Sequence, residues 1–321
     1  MITKRPLGSL DVQVSVIGFG GAAISGEGGG YGFGHITEGE ALLLLRKSVE
    51  RGITLFDTAP VYGFGLSEKR IGKAFSDKRD QIVIASKGGV TWDANKRIGI
   101  DNSPKVMQKM LEQSLKDLRT DYIDLYMIHW PDNNMDIRKP MEYLSRAKDE
   151  KKILAIGLCN ACVDDISQAR EVDRIEVLQS ELNLFNATAY DSLASTIREE
   201  KMGFMSWGTL DKGILTGRVT PGRSFDEVDA RSWAPWWKQD DRSHKYTAMK
   251  RLGDLMEESN HSCLELALGY VLHFEEVSSA LCGMRNVEQL ESAINALNNL
   301  PAHDLLEEAQ SIVDEELNSS S

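Results

Sequence analysis

The sequence predicts an α/β fold of the (β/α)8 TIM barrel class, and two observations predict it. First, candidate strands at 14–18, 53–57, 82–87, 124–129, 154–159, 176–180, 203–207 and 278–282 alternate with helical periodicity. Eight such repeats suit a closed parallel barrel better than an open sheet. Second, six of these apolar runs close on a residue with no packing reason to be there: Asp57, Lys87, His129, Asn160, Gln179 and Trp207. A parallel barrel points the carboxyl end of every strand at one mouth, so these six side chains would converge. An enzyme is the leading expectation before any motif is read.

The elements follow in order along the chain. Residues 6–12 read as a small hairpin plugging the amino-terminal end of the barrel. Helical periodicity covers 38–51, 67–76, 104–119, 140–150, 163–172, 188–200 and 245–273, with a final pair at 287–298 and 302–317. Thr37 with Glu40 is a capping box, and Ser103-Pro104 sets Pro at the first helical position. After the seventh strand, 208–245 shows little periodicity but contains Trp233, Trp236 and Trp237. Long irregular loops are functional or disordered, and clustered indoles argue against disorder, so this one reads as a lid. The tail 318–321 is expected to be disordered. The whole chain, 1–321, is expected to form one barrel domain.

A dinucleotide-binding open sheet is the rival fold. Gly18-Phe19-Gly20-Gly21-Ala22-Ala23 carries G-x-G-x-x-A after a strand. That fingerprint needs a helix at once, so that the helix amino terminus can hold a pyrophosphate. Here the glycine-rich stretch 24–34 follows, which cannot be helical, so it reads as a flexible first loop at the barrel mouth.

Composition narrows the partners. Apolar residues are 41% and charged residues 27% of the chain, which is globular. A net charge of −12 repels nucleic acid and anionic membrane, so a polyanionic ligand needs a local basic pocket. The amino terminus lacks the apolar core of a signal peptide, and no run approaches the roughly 18 apolar residues of a membrane span. The expected compartment is the cytoplasm. Cys159-x-x-Cys162 invites a metal or redox reading, but Cys263 and Cys282 have no ligand-like spacing. All four cysteines are expected to be reduced packing thiols, with no metal bound.

Phe56-Asp57-Thr58-Ala59-Pro60-Val61-Tyr62-Gly63 with Ser67-Glu68, Ser86-Lys87-Gly88-Gly89 and Tyr126-Met127-Ile128-His129-Trp130 lie at or just past strand ends. Together they resemble the signature of the aldo-keto reductase superfamily, in register across essentially the whole chain. The segments 68–72, Thr91-Trp92 and 121–129 look most like bacterial members acting on small aldehydes or sugars. The resemblance implies a catalytic set of Asp57, Tyr62, Lys87 and His129. Reducing a carbonyl needs a hydride on carbon and a proton on the developing alkoxide. Tyr62 would supply the proton, but a free phenol, with pKa about 10, donates poorly at neutral pH. A Lys87 ammonium would lower that pKa, Asp57 would hold Lys87, and His129 would orient the substrate oxygen. The bland readings are a rim tyrosine, a structural ion pair and a satisfied core histidine.

The same resemblance implies the cofactor contacts. Trp207, where Tyr is commoner, would stack on the nicotinamide, and Asn160 and Gln179 would hold its carboxamide. The family often has Ser where this chain has Cys159. Residues 210–217, with Leu210, Lys212 and Gly213, followed by Arg218, resemble the pyrophosphate-holding loop. Gly283, Arg285 and Gln289 lie in a segment resembling the grip on the adenosine end, with Ser292-Ala293 where many members have Glu-Asn. Arg285 suits a 2′-phosphate and favours NADPH (NADP+), with NADH possible. Trp92, Trp130, Trp233, Trp236 and Trp237 are candidates for the substrate wall, the last three equally readable as a self-anchoring cluster.

The expectation is thus NADPH-dependent reduction of an aldehyde or ketone, a small-molecule carbonyl. Two alternatives stay open: a sugar (aldose) dehydrogenase using NAD(P)+, and a slow-turnover regulatory subunit like the potassium-channel β subunits on this scaffold. A metal-dependent barrel hydrolase lacks a His-x-His strand end. Natural substrate and oligomeric state are not legible.

Overall fold

The structure, a computed structural model, describes residues 2–26 and 30–318. Part of the first loop (27–29) and the tail from Ser319 therefore lie outside the described residues. The chain opens with a hairpin of β1 (Lys4–Pro6) and β2 (Gln13–Ser15), then enters the barrel at β3 (Ile17–Gly20). There follow α1 (Glu38–Glu50), β4 (Leu55–Asp57), α2 (Leu66–Phe75) and β5 (Val83–Gly88). A second hairpin, β6 (Val90–Trp92) with β7 (Ile98–Ile100), precedes α3 (Pro104–Leu118) and β8 (Ile123–Ile128). Next come α4 (Arg138–Asp149), β9 (Ile153–Cys159), α5 (Val163–Arg170), β10 (Val177–Glu181), α6 (Thr188–Glu200) and β11 (Gly203–Trp207). The last stretch holds α7 (Ala230–Trp233), α8 (Pro235–Lys238), α9 (Ser243–Glu258), α10 (Cys263–Leu272), β12 (Val277–Cys282), α11 (Val287–Ala296) and α12 (His303–Asn318).

Eight strands close a parallel barrel in the order β10-β11-β12-β3-β4-β5-β8-β9, which is the (β/α)8 TIM barrel the alternation predicts. Because side chains alternate along a strand, one set fills the barrel and the other meets the helices. The interior set is Leu55, Val83, Ala85, Leu125, Met127, Ala155, Cys159, Val177, Met205 and Leu281. The outer set meets helices such as α3, whose Met107, Leu111, Ser114 and Leu118 form one buried stripe at helical spacing. The caps expected from sequence are present: Thr37 and Glu40 bond reciprocally, and Pro104 opens α3.

The amino-terminal hairpin closes the bottom of the barrel. Leu7 and Val14 are buried in the interior set, with Leu10 and Val12 packed beside them. Arg5 pins the hairpin by donating to the carbonyls of Leu272, Phe274 and Val277 at 2.7–2.9 Å. Gly8 is required at the plug tip. Its φ is +61°, and a Cβ there would lie 2.3 Å from the Glu176 carbonyl.

Three expectations are corrected, and one element goes beyond them. The run 14–18 is not one strand: Val14 and Ser15 belong to the hairpin, and Ile17 starts the barrel strand. The pairing partner changes there because Ser15 and Thr54 clasp each other through two 2.9 Å hydrogen bonds. The run 245–273 is two helices, broken at Asn260 (φ +57°) and restarted by a Ser262–Glu265 capping box. The segment 208–245 is not structureless, since it holds a 3-10 stretch, Asp211–Thr216, and the short helices α7 and α8. The hairpin β6–β7 was not anticipated, because six residues of strand around a turn carry too little periodicity to register.

No helix among the described residues is long and apolar enough to cross a membrane. All four cysteines are free thiols, and Cys162 is exposed rather than packed. It stands at the start of α5, where its backbone N–H donates to Asp165 (2.9 Å). Among the described residues, no cluster of three or more His, Cys, Asp and Glu could hold a metal ion.

Candidate active site

Strand alternation brings Asp57, Lys87, Cys159, Gln179 and Trp207 to the carboxyl-end mouth, on the interior side. Lys87 is fully buried. Its Nζ donates to Asp57 Oδ1 at 2.6 Å and to the Thr58 carbonyl at 2.9 Å. Burial works against the lysine charge, but Asp57, with Tyr62 and Cys159, outweighs it and holds the Lys87 pKa above its ordinary value. The ammonium is therefore retained in a dry place, which is what a paired buried charge requires.

Tyr62 stands on the loop after β4. It is held there by its N–H to the Ala59 carbonyl (3.0 Å) and by a β-bridge to Gly30 of the first loop. Lys87 Nζ lies 5.3 Å from its ring centroid, and the His129 ring meets it edge-on at 5.9 Å. The expectation that Lys87 lowers the Tyr62 pKa is overturned in sum. The ammonium does pull downward, but desolvation is larger and pushes the phenol up to about 12. At neutral pH the phenol keeps its proton. His129 is 8% exposed, and burial, with the nearby Lys87 charge, holds its pKa well below the usual imidazole value. It is a neutral hydrogen-bonding ring, not a second cation.

Asn160 reaches the mouth by a different device. It follows the strand, and a left-handed φ of +57° turns it in. Its Nδ2 donates to the His129 carbonyl (3.1 Å) and to Cys159 Sγ (3.1 Å), and its Oδ1 accepts from Trp207 Nε1 (2.9 Å). Gln179 is likewise engaged on the protein: Nε2 donates to Asp57 Oδ1 at 2.8 Å, and Oε1 accepts from the Cys159 thiol at 3.4 Å. Cys159, read from sequence as a packing thiol, thus sits inside the site. The signal that could have found it is the period of two that also places Asp57 and Lys87 inward.

The residues expected along a nucleotide lie in two segments, one past β11 and one past β12. Leu210 is half-buried, and its carbonyl accepts from the N–H groups of Gly213 and Leu215. Lys212 pairs with Glu181 (2.5 Å) and Asp211 (3.2 Å), and its Nζ lies 5.8 Å from the Trp207 ring centroid. Lys212 and Gly213 both take left-handed φ, 54° and 99°. Arg218 and Gly283 are exposed. Arg285 Nη2 donates to the His35 carbonyl (2.7 Å), its N–H donates to Gln289 Oε1 (2.8 Å), and its buried Nε has no hydrogen-bond partner.

The five tryptophans separate. Trp237 is buried and packs edge-on with Phe225 and Trp236, under the Arg242 guanidinium, so it anchors this segment to the core rather than presenting an open wall. Trp236 is exposed upon it. Trp233 meets Tyr31 of the first loop at 6.0 Å, where Phe33 bridges Asp229 and the Ala230 N–H donates to the Gly32 carbonyl. The segment after β11 therefore docks on the loop that also pairs with Tyr62. Trp92, on the unforeseen hairpin, meets Phe64 at a tilt with ring centroids 5.1 Å apart, two residues past Tyr62, and Trp130 is exposed beside His129.

Glu68 was quoted from sequence only as part of a motif. It is fully buried behind β5, where Oε1 accepts from Ser86 (2.7 Å). Its Oε2 has no hydrogen-bond partner within normal reach, and neither do Ser114 Oγ and Tyr126 OH.

Comparisons with known proteins bear on the family and the fold. The model of the Aldo/keto reductase family matches residues 16–312. An aldo-keto reductase of Bacillus subtilis (strain 168), YhdN, is 34% identical over 284 residues, covering 88% of this chain and 84% of that protein. An NADH-specific methylglyoxal reductase of Escherichia coli (strain K12) is 28% identical over 316 residues, with 92% and 93% covered. Among solved structures, a glycerol dehydrogenase from Gluconobacter oxydans superposes with a TM-score of 0.85 at 27% identity, covering 98% of this chain and 95% of that one. The chain belongs to the aldo/keto reductase family, oxidoreductases that act on carbonyl groups with nicotinamide cofactors.

Proposed function

We propose that this protein reduces a small aldehyde or ketone with NADPH, using Tyr62 as the proton donor and Asp57, Lys87 and His129 as its supporting set. The observation that carries the reading is the convergence of a protonated phenol, a retained ammonium and a neutral imidazole at one mouth. The residues fit a nicotinamide nucleotide, with the half-exposed Trp207 indole at the mouth and the orphaned Arg285 Nε on the rim. When bound, the nucleotide supplies the hydride. Tyr62 donates to the carbonyl oxygen as negative charge grows there, and an alkoxide is basic enough to take its proton. His129, neutral, hydrogen-bonds the same oxygen and orients it. Lys87 stabilises the phenolate left behind, and Asp57 holds Lys87 in place.

Nucleotide oxidation across aldehydes, ketones and aldoses, with both NADPH and NADH, tests the reading. Steady turnover of at least one small carbonyl is expected; silence with both nucleotides sinks it. The name of the methylglyoxal reductase supports a small aldehyde and keeps NADH in contention, whereas Arg285 supports NADPH. Charge-assisted bonds to phosphate contribute enough that Arg285→Ala should weaken NADPH binding by about 10- to 100-fold and leave NADH nearly unchanged. Equal losses for both nucleotides would show that Arg285 reads no 2′-phosphate.

Trp92 is the strongest candidate wall, because its contact with Phe64 ties it to the Tyr62 loop. Trp92→Ala should raise KM for a bulky aldehyde while kcat for a very small one stays put, the mark of lost uniform binding. An unchanged substrate ratio would make the indole a structural prop.

A further inference from the structure

A cavity of about 480 Å³ opens on the outer shell of the barrel, between α6, α10 and α12. That is room for a small molecule, and none of the groups expected to hold nucleotide or substrate lines it. Its floor is apolar, with Leu184, Phe185 and Leu306 buried beneath it. Phe274 is the hub of an aromatic cluster there, its ring centroid 4.6 Å from Tyr190, 5.6 Å from Tyr270 and 4.6 Å from His273. The His273 and His303 rings lie nearly parallel, 4.9 Å apart.

The walls are negative. Asp191 comes from α6, and Glu307 and Asp314 come from α12. The nearby positive charges are already engaged. Arg198 donates to Glu276 at 3.0 Å, and Lys245, 5.5 Å from the Phe185 ring centroid, pairs with Asp211 at 2.8 Å. Burial, with the neighbouring His303, holds the His273 pKa below the usual imidazole value, and His303 itself stands 3.5 Å from Glu307. Two polar groups of the lining lack a partner. Tyr270 is 9% exposed, and its hydroxyl bonds to no group among the described residues. It lies within reach of the Asp191 and Asp314 charges, which add to burial in pushing the phenol up to about 12, so it stays neutral. Gln310 gives its Nε2 to Asp314 (2.8 Å) and keeps a buried Oε1 with no hydrogen-bond partner. Unpaired buried polar groups cost free energy, so both mark a place for a polar ligand atom.

We propose that this cavity is a second ligand site, for a small organic ammonium with an aromatic body. The body lies on Phe274 and Leu306, and the ammonium meets the Asp191 and Asp314 carboxylates. The Tyr270 hydroxyl and the Gln310 carbonyl accept its N–H groups. Aromatic faces add to the preference for a cation over an anion. The site does not depend on the reaction proposed at the mouth.

Calorimetric titration of the full chain with phenethylammonium should show one saturable site, with a dissociation constant of about 1 mM or tighter for a ligand of this size. Phenylacetate, similar in shape but opposite in charge, should bind at least about tenfold more weakly. Asp191→Asn combined with Asp314→Asn should weaken the ammonium about tenfold at low salt, and less as salt screens the carboxylates. Tyr270→Phe removes the hydroxyl and keeps the ring, so it should cost about two- to tenfold. Glu308→Gln, at an exposed carboxylate of α12 outside the cavity, should change nothing, which separates a local site from the field of a chain with net charge −12. Equal binding of phenylacetate would overturn the site. So would ammonium binding untouched by both the double substitution and Tyr270→Phe, or no saturable heat by about 10 mM, well above the expected constant. A dimer that the double substitution splits would overturn it as well, by giving the cavity to a second copy of the chain.

Discussion

Tyr62→Phe is expected to cut carbonyl reduction by at least about 100-fold, the low end of general acid contributions. The substitution removes one oxygen and nothing else: the ring keeps its edge contact with His129 and its place over Lys87. Nucleotide binding should therefore stay near native, which separates a lost proton donor from a collapsed mouth. The pH dependence follows from the upward shift of the phenol. With a folded pKa of about 12, Tyr62 carries its proton throughout the neutral range, so reduction should be flat there and should fall only on the alkaline side. Alcohol oxidation needs the phenolate, so it should climb with pH over the same range. A Tyr62→Phe variant keeping more than a tenth of the activity would take Tyr62 out of the mechanism.

Glu68→Gln is expected to stabilise the protein above neutrality. Burial pushes the Glu68 carboxyl up to about 7, against the Ser86 and Ser114 hydroxyls that pull it down. The folded state thus holds a proton that the unfolded chain releases near its ordinary value of 4.5. A carboxyl raised in the fold contributes its full stability below 4.5, loses it as pH rises toward 7, and is a standing cost above. Each pKa unit is worth 1.36 kcal/mol, so the swing is about 3 kcal/mol. The amide keeps an acceptor for Ser86 and brings a donor toward the Ser114 and Tyr126 hydroxyls without any charge to bury. Urea unfolding at pH 5 and pH 8 should show the variant's advantage growing with pH. A difference that stays constant between the two would show that Glu68 does not titrate in the fold.

Much of this protein is written in its sequence, and the reason is strand geometry. A barrel strand buried on both faces reads as an apolar run, and a period of two delivers its last inward residue to the mouth. Asp57, Lys87, His129, Gln179 and Trp207 were therefore legible, and so was the closed barrel they imply. Local caps were legible as well, because Thr37 with Glu40 and Ser103 with Pro104 need nothing beyond their own turn.

What the sequence could not decide is who meets whom. Gln179 and Asp57 are 122 positions apart, and only closure of the barrel puts an amide of β10 on a carboxylate of β4. The inward turn of Asn160 depends on a left-handed backbone, and the partner of the Cys159 thiol, Gln179, comes from another strand. The Tyr62 pKa shows the limit most plainly. A lysine beside a tyrosine lowers its pKa in any sequence argument, yet desolvation belongs to the packed mouth and is the larger effect. The segment after β11 follows the same logic: three clustered tryptophans announce a folded loop, but only tertiary packing buries Trp237 against Phe225 and the Arg242 guanidinium and leaves Trp233 against Tyr31. Period and propensity act within a few residues, so the sequence alone determined the barrel and the strand-end chemistry. Burial and long-range hydrogen bonds exist only after the chain closes, so the tertiary structure alone decided how those groups are charged, joined and aimed.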